Sequence, residues 1–146
     1  MTAAWKILTH DLRPPVRGGD PVFDGTLPFA LPPRAADASP DECAAGWNAC
    51  VDAHVALRIA GLWPNGRPSR LFAVETDAPV IARGDKVRAS TWTIVREATD
   101  AEVRAAIHAM SAPFGGLRDA MVEEQVAWRH ALTRPKHDEG AVREGL

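Results

Sequence analysis

Two cysteines and a histidine near the middle of the chain are the first residues that could do chemistry. Cys50 and His54 stand four positions apart, so on a helix both side chains could ligate one metal ion. A structural zinc site needs four ligands, and beyond Cys43 no Cys-x2-Cys or His-x3-His pair completes one. Three interpretations therefore stand for Cys43 and Cys50: buried free thiols, a disulfide, or metal ligands. Free cysteine commonly behaves as a small buried apolar residue, and this favours the first.

A cysteine nucleophile would need a neighbouring base that lowers the pKa of its thiol. His10, His54 and His108 are available, but no motif pairs any of them with Cys43 or Cys50. The chain also lacks a glycine-rich phosphate loop, a Gly-x-Ser-x-Gly turn and a His-Glu-x-x-His helix. We therefore expect no resident cofactor.

Tryptophan and arginine supply the candidate binding residues. The chain has five tryptophans and no tyrosine. Trp47, Trp63 and Trp92 could line a pocket with Arg67 and Arg70 at its mouth, because aromatic and arginine side chains are enriched in binding sites. The alternative is that the tryptophans fill the core, where they supply bulk and their N–H groups meet backbone carbonyls. The core interpretation is favoured, and Trp47, Trp63, Arg67 and Arg70 are the binding candidates.

The elements that position these residues begin with a short predicted strand over 5–9. A loop over 13–20 follows, and the Asp-Gly pair within 21–27 predicts a small hairpin. Four prolines within 28–40 exclude that stretch from the interior of a sheet, so we expect it to cross the surface.

The middle of the chain predicts one helix and two strands. Ser39 followed by proline can open a helix, and helical or turn structure should precede a helix over 52–60. Residues 70–76 form a predicted buried strand and 77–85 a loop. In residues 86–97, small or β-branched residues occupy every second position, as they do in one long strand.

Two helices are predicted near the C-terminus. Thr99 and Glu102 form a capping box that opens the first. The second runs over 117–132, with a stripe made of Leu117, Met121, Gln125, Trp128 and Leu132. We expect this stripe to pack on its own domain, with a homodimer or partner interface as the alternative. Residues 134–146 are polar and should form a flexible tail.

These elements predict one α+β domain over 1–133, with a small, mostly antiparallel sheet, one central helix and two C-terminal helices.

The chain has 146 residues and a formal net charge of −2, so general nucleic-acid binding is disfavoured. Arg67, Arg70, Arg83, Lys86 and Arg88 could still form a local basic strip. No signal peptide or membrane span is evident, and cytoplasm is the expected compartment.

The middle of the chain resembles a family of small, uncharacterised domains of bacteriophage and bacterial genomes. The likeness rests on the Cys-x6-Cys segment 43–50, of the type Cys-x-x-Gly-[Phe/Trp]-x-x-Cys, then a helix, the strand 69–75 and the strand start 84–90. An N-terminal strand of the family is similar to 5–8, so the likeness covers residues 5 to about 97. Where the family has an aromatic–His pair, this chain has Trp47-Asn48. The resemblance implies a fold pattern and no activity.

A more distant likeness is to ADP-ribosyltransferase-like domains, which share the order of short strand, aromatic segment, helix, strand and a late strand bearing a glutamate. This likeness implies that Lys6 or His10 lies near a nicotinamide dinucleotide. It also implies that Trp47 stacks on a ring of that ligand and that Glu97 orients a ribose hydroxyl.

The leading hypothesis is therefore an intracellular binding or interaction module, associated with phages or mobile elements. The alternative is an ADP-ribosyltransferase-like enzyme with Glu97 and His10 as catalytic candidates. A third hypothesis is a module stabilised by zinc at Cys43, Cys50 and His54. A deep cleft in which Trp47, Arg70 and Glu97 converge would indicate the enzyme, whereas an exposed apolar patch on the last helix would indicate the binding module.

Overall fold

A computed structural model describes residues 1–16, 18–36, 46–111 and 117–133 of the chain. These residues form an α+β fold with a seven-stranded antiparallel sheet in the order β2-β7-β4-β1-β3-β6-β5. The strands are β1 (Thr2–Leu8), β2 (Phe29–Ala30), β3 (Trp47–Cys50), β4 (Arg70–Thr76), β5 (Val80–Arg83), β6 (Lys86–Ala89) and β7 (Thr93–Glu97). The helices are α1 (Ala53–Ala60), α2 (Asp100–Ser111) and α3 (Leu117–Thr133), with a single 3-10 turn at Pro64–Gly66.

One face of the sheet packs against the helices. Alternate residues of β1 and β4, such as Ile7 and Leu71, meet the apolar sides of α1 and α2. This helical core contains Ile7, Cys50, Val55, Ala56, Leu57, Leu71, Ala98, Val103, Ala106, Ile107 and Val122. It fixes α2 and α3 beside the end of the sheet where β4 begins and β7 ends.

The irregular segment that follows β1 contributes to the core on the opposite face. Leu12, Phe23 and Leu31 are buried in one cluster with side chains of five strands. Phe23 meets Phe72 edge to face, with 5.4 Å between ring centroids. The rest of this second core is Ala4, Leu8, Trp47, Ala49, Phe72, Val74, Val87, Ala89, Trp92 and Ile94.

Trp92 and Trp47 tie the irregular segment to the sheet. The Trp92 indole is fully buried, and its Nε1 donates to the backbone carbonyl of Trp47 at 3.0 Å. The Trp47 indole donates in turn to the carbonyl of Pro32 at 2.7 Å. The Arg34 guanidinium lies 3.8 Å from the centroid of the Trp47 ring. Both tryptophans therefore meet backbone carbonyls, as buried indoles require.

Lys6 also lies beside this tryptophan cluster. Its Nζ donates to the backbone carbonyl of Asn48 at 3.0 Å and lies 5.5 Å from the centroid of the Trp47 ring. Burial lowers the pKa of Lys6 to about 8, against a weaker opposing influence of Cys50. The ammonium is thus held against the Trp47 ring by its hydrogen bond to the Asn48 carbonyl.

Several sequence predictions hold in this fold. Helix α1 and strand β4 occupy the predicted stretches 52–60 and 70–76 to within a residue. The capping box is confirmed, because the Glu102 amide donates to Thr99 Oγ1 at 3.2 Å and the Thr99 amide donates to Glu102 Oε1 at 2.9 Å.

Three short stretches differ from their prediction. Residues 47–50, expected to be helix or turn, form β3 because β1 and β6 bond to it from either side. Part of the loop predicted over 77–85 is β5, which pairs with β6. No hairpin forms within the described stretch 21–27, where the Asp24 carboxylate accepts from the Thr26 amide at 2.8 Å in a local turn. The helix predicted to open at Ser39 lies outside the described residues.

The long strand predicted over 86–97 is two strands. The chain bends at 90–92, where Trp92 enters the core, and β6 and β7 have three other strands between them. The four Cα–Cα steps from the end of β6 to the start of β7 reach at most about 14 Å when the chain is fully extended. In a flat sheet, the four spacings that separate β6 from β7 would cover about 19 Å. The sheet must therefore curve around the second core.

The buried side of α3 also differs from the predicted stripe. Val122, Gln125 and Val126 are buried, and so is Arg129. Trp128, which the stripe placed inside, is 46% exposed. Leu117 and Met121 of that stripe lie where the structure describes no side chains, and residues 134–146 lie outside the described part.

Gly46, which immediately precedes β3, provides a test of this packing. Its φ is +110°, and an added Cβ would lie 2.9 Å from the Ala36 Cβ and 3.1 Å from the Arg88 Cγ. We expect Gly46→Ala to lower the free energy of unfolding by about 2–4 kcal/mol in urea denaturation, through backbone strain and overpacking. Gly84→Ala is the matched control, because its φ of +65° is strained but nothing lies within 4 Å of the added Cβ. Gly84→Ala should lower the free energy of unfolding by only about 1 kcal/mol. Equal losses in the two variants would contradict the close approach of Ala36 to Gly46.

The capping box gives a pH prediction. The hydrogen bond from Arg96 is the main cause that lowers the pKa of Glu102 from 4.5 to about 2. Since the folded-state pKa is depressed, the ionised carboxylate stabilises the fold above pH 4.5, and this contribution disappears as the pH falls toward 2. The difference in unfolding free energy between the wild type and Glu102→Gln should therefore shrink across this interval in urea titrations. A difference that does not change with pH would show that charge is not its origin.

Candidate functional site

Three of the candidate residues from the sequence meet at one end of the sheet. His10, Arg70 and Glu97 line a cavity of about 200 Å³ together with Pro68, Arg129 and Leu132. We call this cavity the arginine pocket. His10 follows β1, Arg70 begins β4 opposite Leu8, and Glu97 ends β7 opposite Phe72. The antiparallel register thus brings residues that are distant in sequence to the same edge.

Glu97 lies between two guanidinium groups in this pocket. Arg70 donates to it through Nε at 2.9 Å and Nη2 at 3.3 Å, a bidentate arrangement. Arg129 Nη2 lies 3.4 Å from Glu97 Oε1, and Arg129 Nη1 lies 3.5 Å from Asp100 Oδ1. Because Arg129 is only 10% exposed, these carboxylates provide the counter-charge that a buried guanidinium needs.

The network continues to the end of α3. His130 Nε2 lies 2.7 Å from Asp100 Oδ2 at the start of α2. Arg129 Nη2 also lies 3.5 Å from the backbone carbonyl of Ala98. Ionic contacts therefore join β4, β7, α2 and α3 at the wall of the pocket.

His10 contributes an unsatisfied polar atom to the same pocket. Its Nδ1 is buried and has no hydrogen-bond partner among the residues that the structure describes. Buried polar atoms are nearly always paired, so an exception in a cavity wall commonly marks a position completed by a water or a ligand. The imidazole is thus available to a group that enters the arginine pocket.

Two tryptophans form a surface beside the arginine pocket, which we call the aromatic shelf. Trp63 and Trp128 meet edge to face, with 5.8 Å between ring centroids, and are 37% and 46% exposed. Trp128 is one helical turn before Leu132, which lines the pocket. Trp63 shares a turn-rich connection with Pro68, also in the pocket wall. Shelf and pocket therefore form one continuous surface.

Gln125 fixes the connection that carries Trp63 to helix α3. Its side-chain amide Nε2 donates to the backbone carbonyl of Leu62 at 3.1 Å, and the side chain is buried. The Ser69 amide also donates to the Leu62 carbonyl, at 3.1 Å. Two hydrogen bonds to the Leu62 carbonyl thus fix the start of the connection that carries Trp63.

The remaining candidates lie elsewhere. Trp47 is 8% exposed and belongs to the second core, where Arg34 lies over its ring. Arg67 is exposed in the turn next to Pro68 and does not line the arginine pocket. The proposed basic strip divides, because Arg83, Lys86 and Arg88 line a separate cavity.

The cysteine–histidine group shows no metal geometry in the described part of the chain. Cys50 is a buried free thiol, and burial raises its pKa to about 11. Such a thiol is a poor nucleophile near neutral pH. No three His, Cys, Asp or Glu residues that the structure describes lie close enough to hold a metal ion. Cys43 lies outside the described residues.

Sequence reasoning missed Arg129, Asp100 and the exposed position of Trp128. One signal was present, because Arg129 continues the spacing of Val122 and Val126 along α3. A charged residue at an apolar seam position needs a partner, and this requirement points to a buried ion pair. Nothing local in the sequence identifies Glu97 as that partner.

No protein-family model, curated protein or solved structure matches this chain. Among the described helices, none combines the length and the apolar character needed to cross a bilayer. The geometry of the site is therefore the basis for a functional proposal.

Removing the shared carboxylate tests the network. Glu97→Gln should lower the free energy of unfolding by about 1–3 kcal/mol, because it weakens the counter-charge of the buried Arg129. Glu123→Gln is the matched control. Its partner Arg104 lies 3.0 Å away, but the two side chains are 67% and 39% exposed. The control should cost less than about 0.5 kcal/mol. Equal losses in urea denaturation would contradict a structural role for Glu97.

Proposed function

We propose that this protein is a binding module that recognises a protein partner through the aromatic shelf and the arginine pocket. The observation that carries the proposal is the Trp63–Trp128 pair, which is exposed beside a pocket with two arginines in its wall. Tryptophan and arginine are the residues most enriched among the energetic centres of protein interfaces.

The size of the arginine pocket favours a single side chain as its occupant. Its volume is about 200 Å³, whereas pockets for small molecules and cofactors commonly measure about 300–1,000 Å³. A carboxylate side chain of a partner suits the chemistry of its wall, because Arg70 carries five N–H donors, of which Glu97 accepts two, and His10 offers a further polar atom. The neighbouring shelf suits an apolar or aromatic side chain on the same segment.

The alternative function is that of an ADP-ribosyltransferase-like enzyme. It is supported by the position of Glu97 and His10 in one pocket. Two observations favour the binding module over it. Glu97 is engaged by two arginines, and Trp47, the ring expected to stack on the dinucleotide, is buried under Arg34. A dinucleotide also exceeds the volume of this pocket.

Selection from a random peptide library displayed on phage tests the proposal. Panning on the full chain, with Trp128→Ser for counter-selection, should enrich peptides that carry an acidic residue beside an aromatic or aliphatic one. Synthetic copies of these peptides should bind at least about tenfold more weakly to Trp128→Ser and to Arg70→Gln, as expected for central interface residues.

Arg104→Gln is the control, since Arg104 lies on α2 and pairs with Glu123 away from the pocket. It should bind the selected peptides as the wild type does. Peptides without an acidic residue, or equal binding to Trp128→Ser, would contradict the proposal. Sedimentation equilibrium tests whether the full chain forms a dimer. If it does, and if Trp128→Ser dissociates that dimer, the partner at this surface is a second copy of this chain and not a different protein.

A further inference from the structure

Strand β5 leaves one edge of the sheet open. It stands last in the strand order, and among the described strands it pairs with β6 alone. Strand β2 at the other edge has just two residues, with Pro28 before it and Pro32 shortly after it, so it offers little backbone for pairing. The first three residues of β5, 80–82, are uncharged and pair regularly with β6. Such an open edge is a template for a further strand.

The turn between β5 and β6 fixes the direction of the backbone hydrogen bonds. Arg83 and Lys86 are cross-strand partners on either side of a two-residue turn, so their backbones exchange hydrogen bonds with each other. The Asp85 carbonyl points the other way and accepts from the Val51 amide at 2.9 Å, on the side of β3. Residues of this second strand therefore bond alternately to β5 and to β3, as in a regular antiparallel ladder.

The same alternation leaves four backbone groups of β5 facing outward. Ile81 bonds to β6 as Arg83 does, so the amides and carbonyls of Val80 and Ala82 point away from the sheet. Both of these residues are exposed, and no residue that the structure describes bonds to the four groups. Pro79 belongs to the set whose nitrogens face β6, so its missing N–H does not interrupt the outer row.

The open edge is complementary to itself. Val80 and Ala82 stand symmetrically about Ile81. In an antiparallel pair of two β5 strands with Ile81 opposite the partner's Ile81, Val80 of each copy lies opposite the partner's Ala82. These two pairs exchange four hydrogen bonds across a two-fold axis, and every outward group of both strands then has a partner.

The side chains suit the same register. Ile81 would meet its own copy at a position without hydrogen bonds, where opposite side chains come closest. Val80, which is 36% exposed, would gain a neighbour in the partner's Ala82. Arg83 would lie opposite the partner's Pro79, so no two like charges face each other within β5. Apolar, β-branched cross-strand pairs of this kind stabilise a sheet.

A second copy fits this edge better than a flexible peptide of another protein. A peptide must lose its backbone freedom before it can act as a strand. Each β5 strand is already held in extended form by β6, so pairing of two copies has a smaller entropic cost. The pairing also covers two open edges at once.

We propose that two copies of this chain form a symmetric dimer through β5, in which the two sheets join into one continuous sheet. No residue of β5 belongs to the aromatic shelf or lines the arginine pocket. The dimer is therefore independent of the proposed partner surface.

Sedimentation equilibrium of the full chain, up to millimolar concentration, tests the proposal. The wild type should show an equilibrium between monomer and dimer. Ala82→Pro should raise the dissociation constant at least about tenfold, because it removes an outward amide and places a ring in the contact. The hairpin should persist, since Ala82 does not bond to β6 and proline is tolerated there on an edge strand. Trp128→Ser is the control and should dimerise as the wild type does.

Exchange of charge at position 81 tests the register. Ile81→Lys and Ile81→Glu should each be monomeric, because like charges would lie opposite each other at the axis. An equimolar mixture of the two variants should form a heterodimer, because the opposed charges then have opposite sign. A dimer through another surface would not bring position 81 against itself and would not show this rescue.

Three results would overturn the proposal. The first is a wild type that remains monomeric at every concentration. The second is a dimer that Trp128→Ser dissociates and Ala82→Pro leaves intact, which would assign the contact to the aromatic shelf. The third is a mixture of the two charge variants that stays monomeric while the wild type dimerises. If far-UV circular dichroism shows that Ala82→Pro does not fold, the mixture of charge variants decides the question.

Discussion

The short link between β6 and β7 is the constraint on which the fold depends. Three residues, 90–92, connect strands that have three others between them in the sheet. An extended chain of that length cannot cross a flat sheet, so the sheet curves and its concave face must be filled. Trp92 fills it, fully buried, with its indole bonded to the carbonyl of Trp47. Leu31 donates its amide to the Trp92 carbonyl at 2.8 Å, so the irregular segment is joined to the same residue.

This arrangement divides the tryptophans by role. Trp47 and Trp92 have their indole N–H groups bonded to backbone carbonyls within the second core. Trp63 and Trp128 lie at the surface, beside a pocket whose wall is an ion network. A large aromatic residue at the surface loses the hydrophobic stabilisation that burial would give it. The exposed pair therefore supports the partner surface proposed above.

The sequence predicted those elements whose signals are local. The Thr99–Glu102 capping box, helix α1 and the apolar run of β4 each follow from a few adjacent residues. The division of 86–97 into two strands could not be predicted in this way, because the alternation of residue types in the sequence continues through the bend. Only the burial of Trp92, which depends on tertiary packing, interrupts the strand. Likewise His10, Arg70 and Glu97 could be singled out as residue types, but their meeting depends on strand order, which no local pattern specifies. Arg129 completes the pocket from α3, and only tertiary packing determines that contact.

Hydrogen exchange of the indole N–H groups, followed by NMR on the full chain, tests this division of the tryptophans most directly. The indole protons of Trp47 and Trp92 should exchange only as fast as global unfolding allows, because both are hydrogen-bonded in the core. Those of Trp63 and Trp128 should exchange orders of magnitude faster. Substitution of each tryptophan by phenylalanine assigns the signals. Rapid exchange at Trp92 would contradict the curved sheet with its filled concave face, and strong protection of Trp128 in the monomer would contradict the exposed shelf.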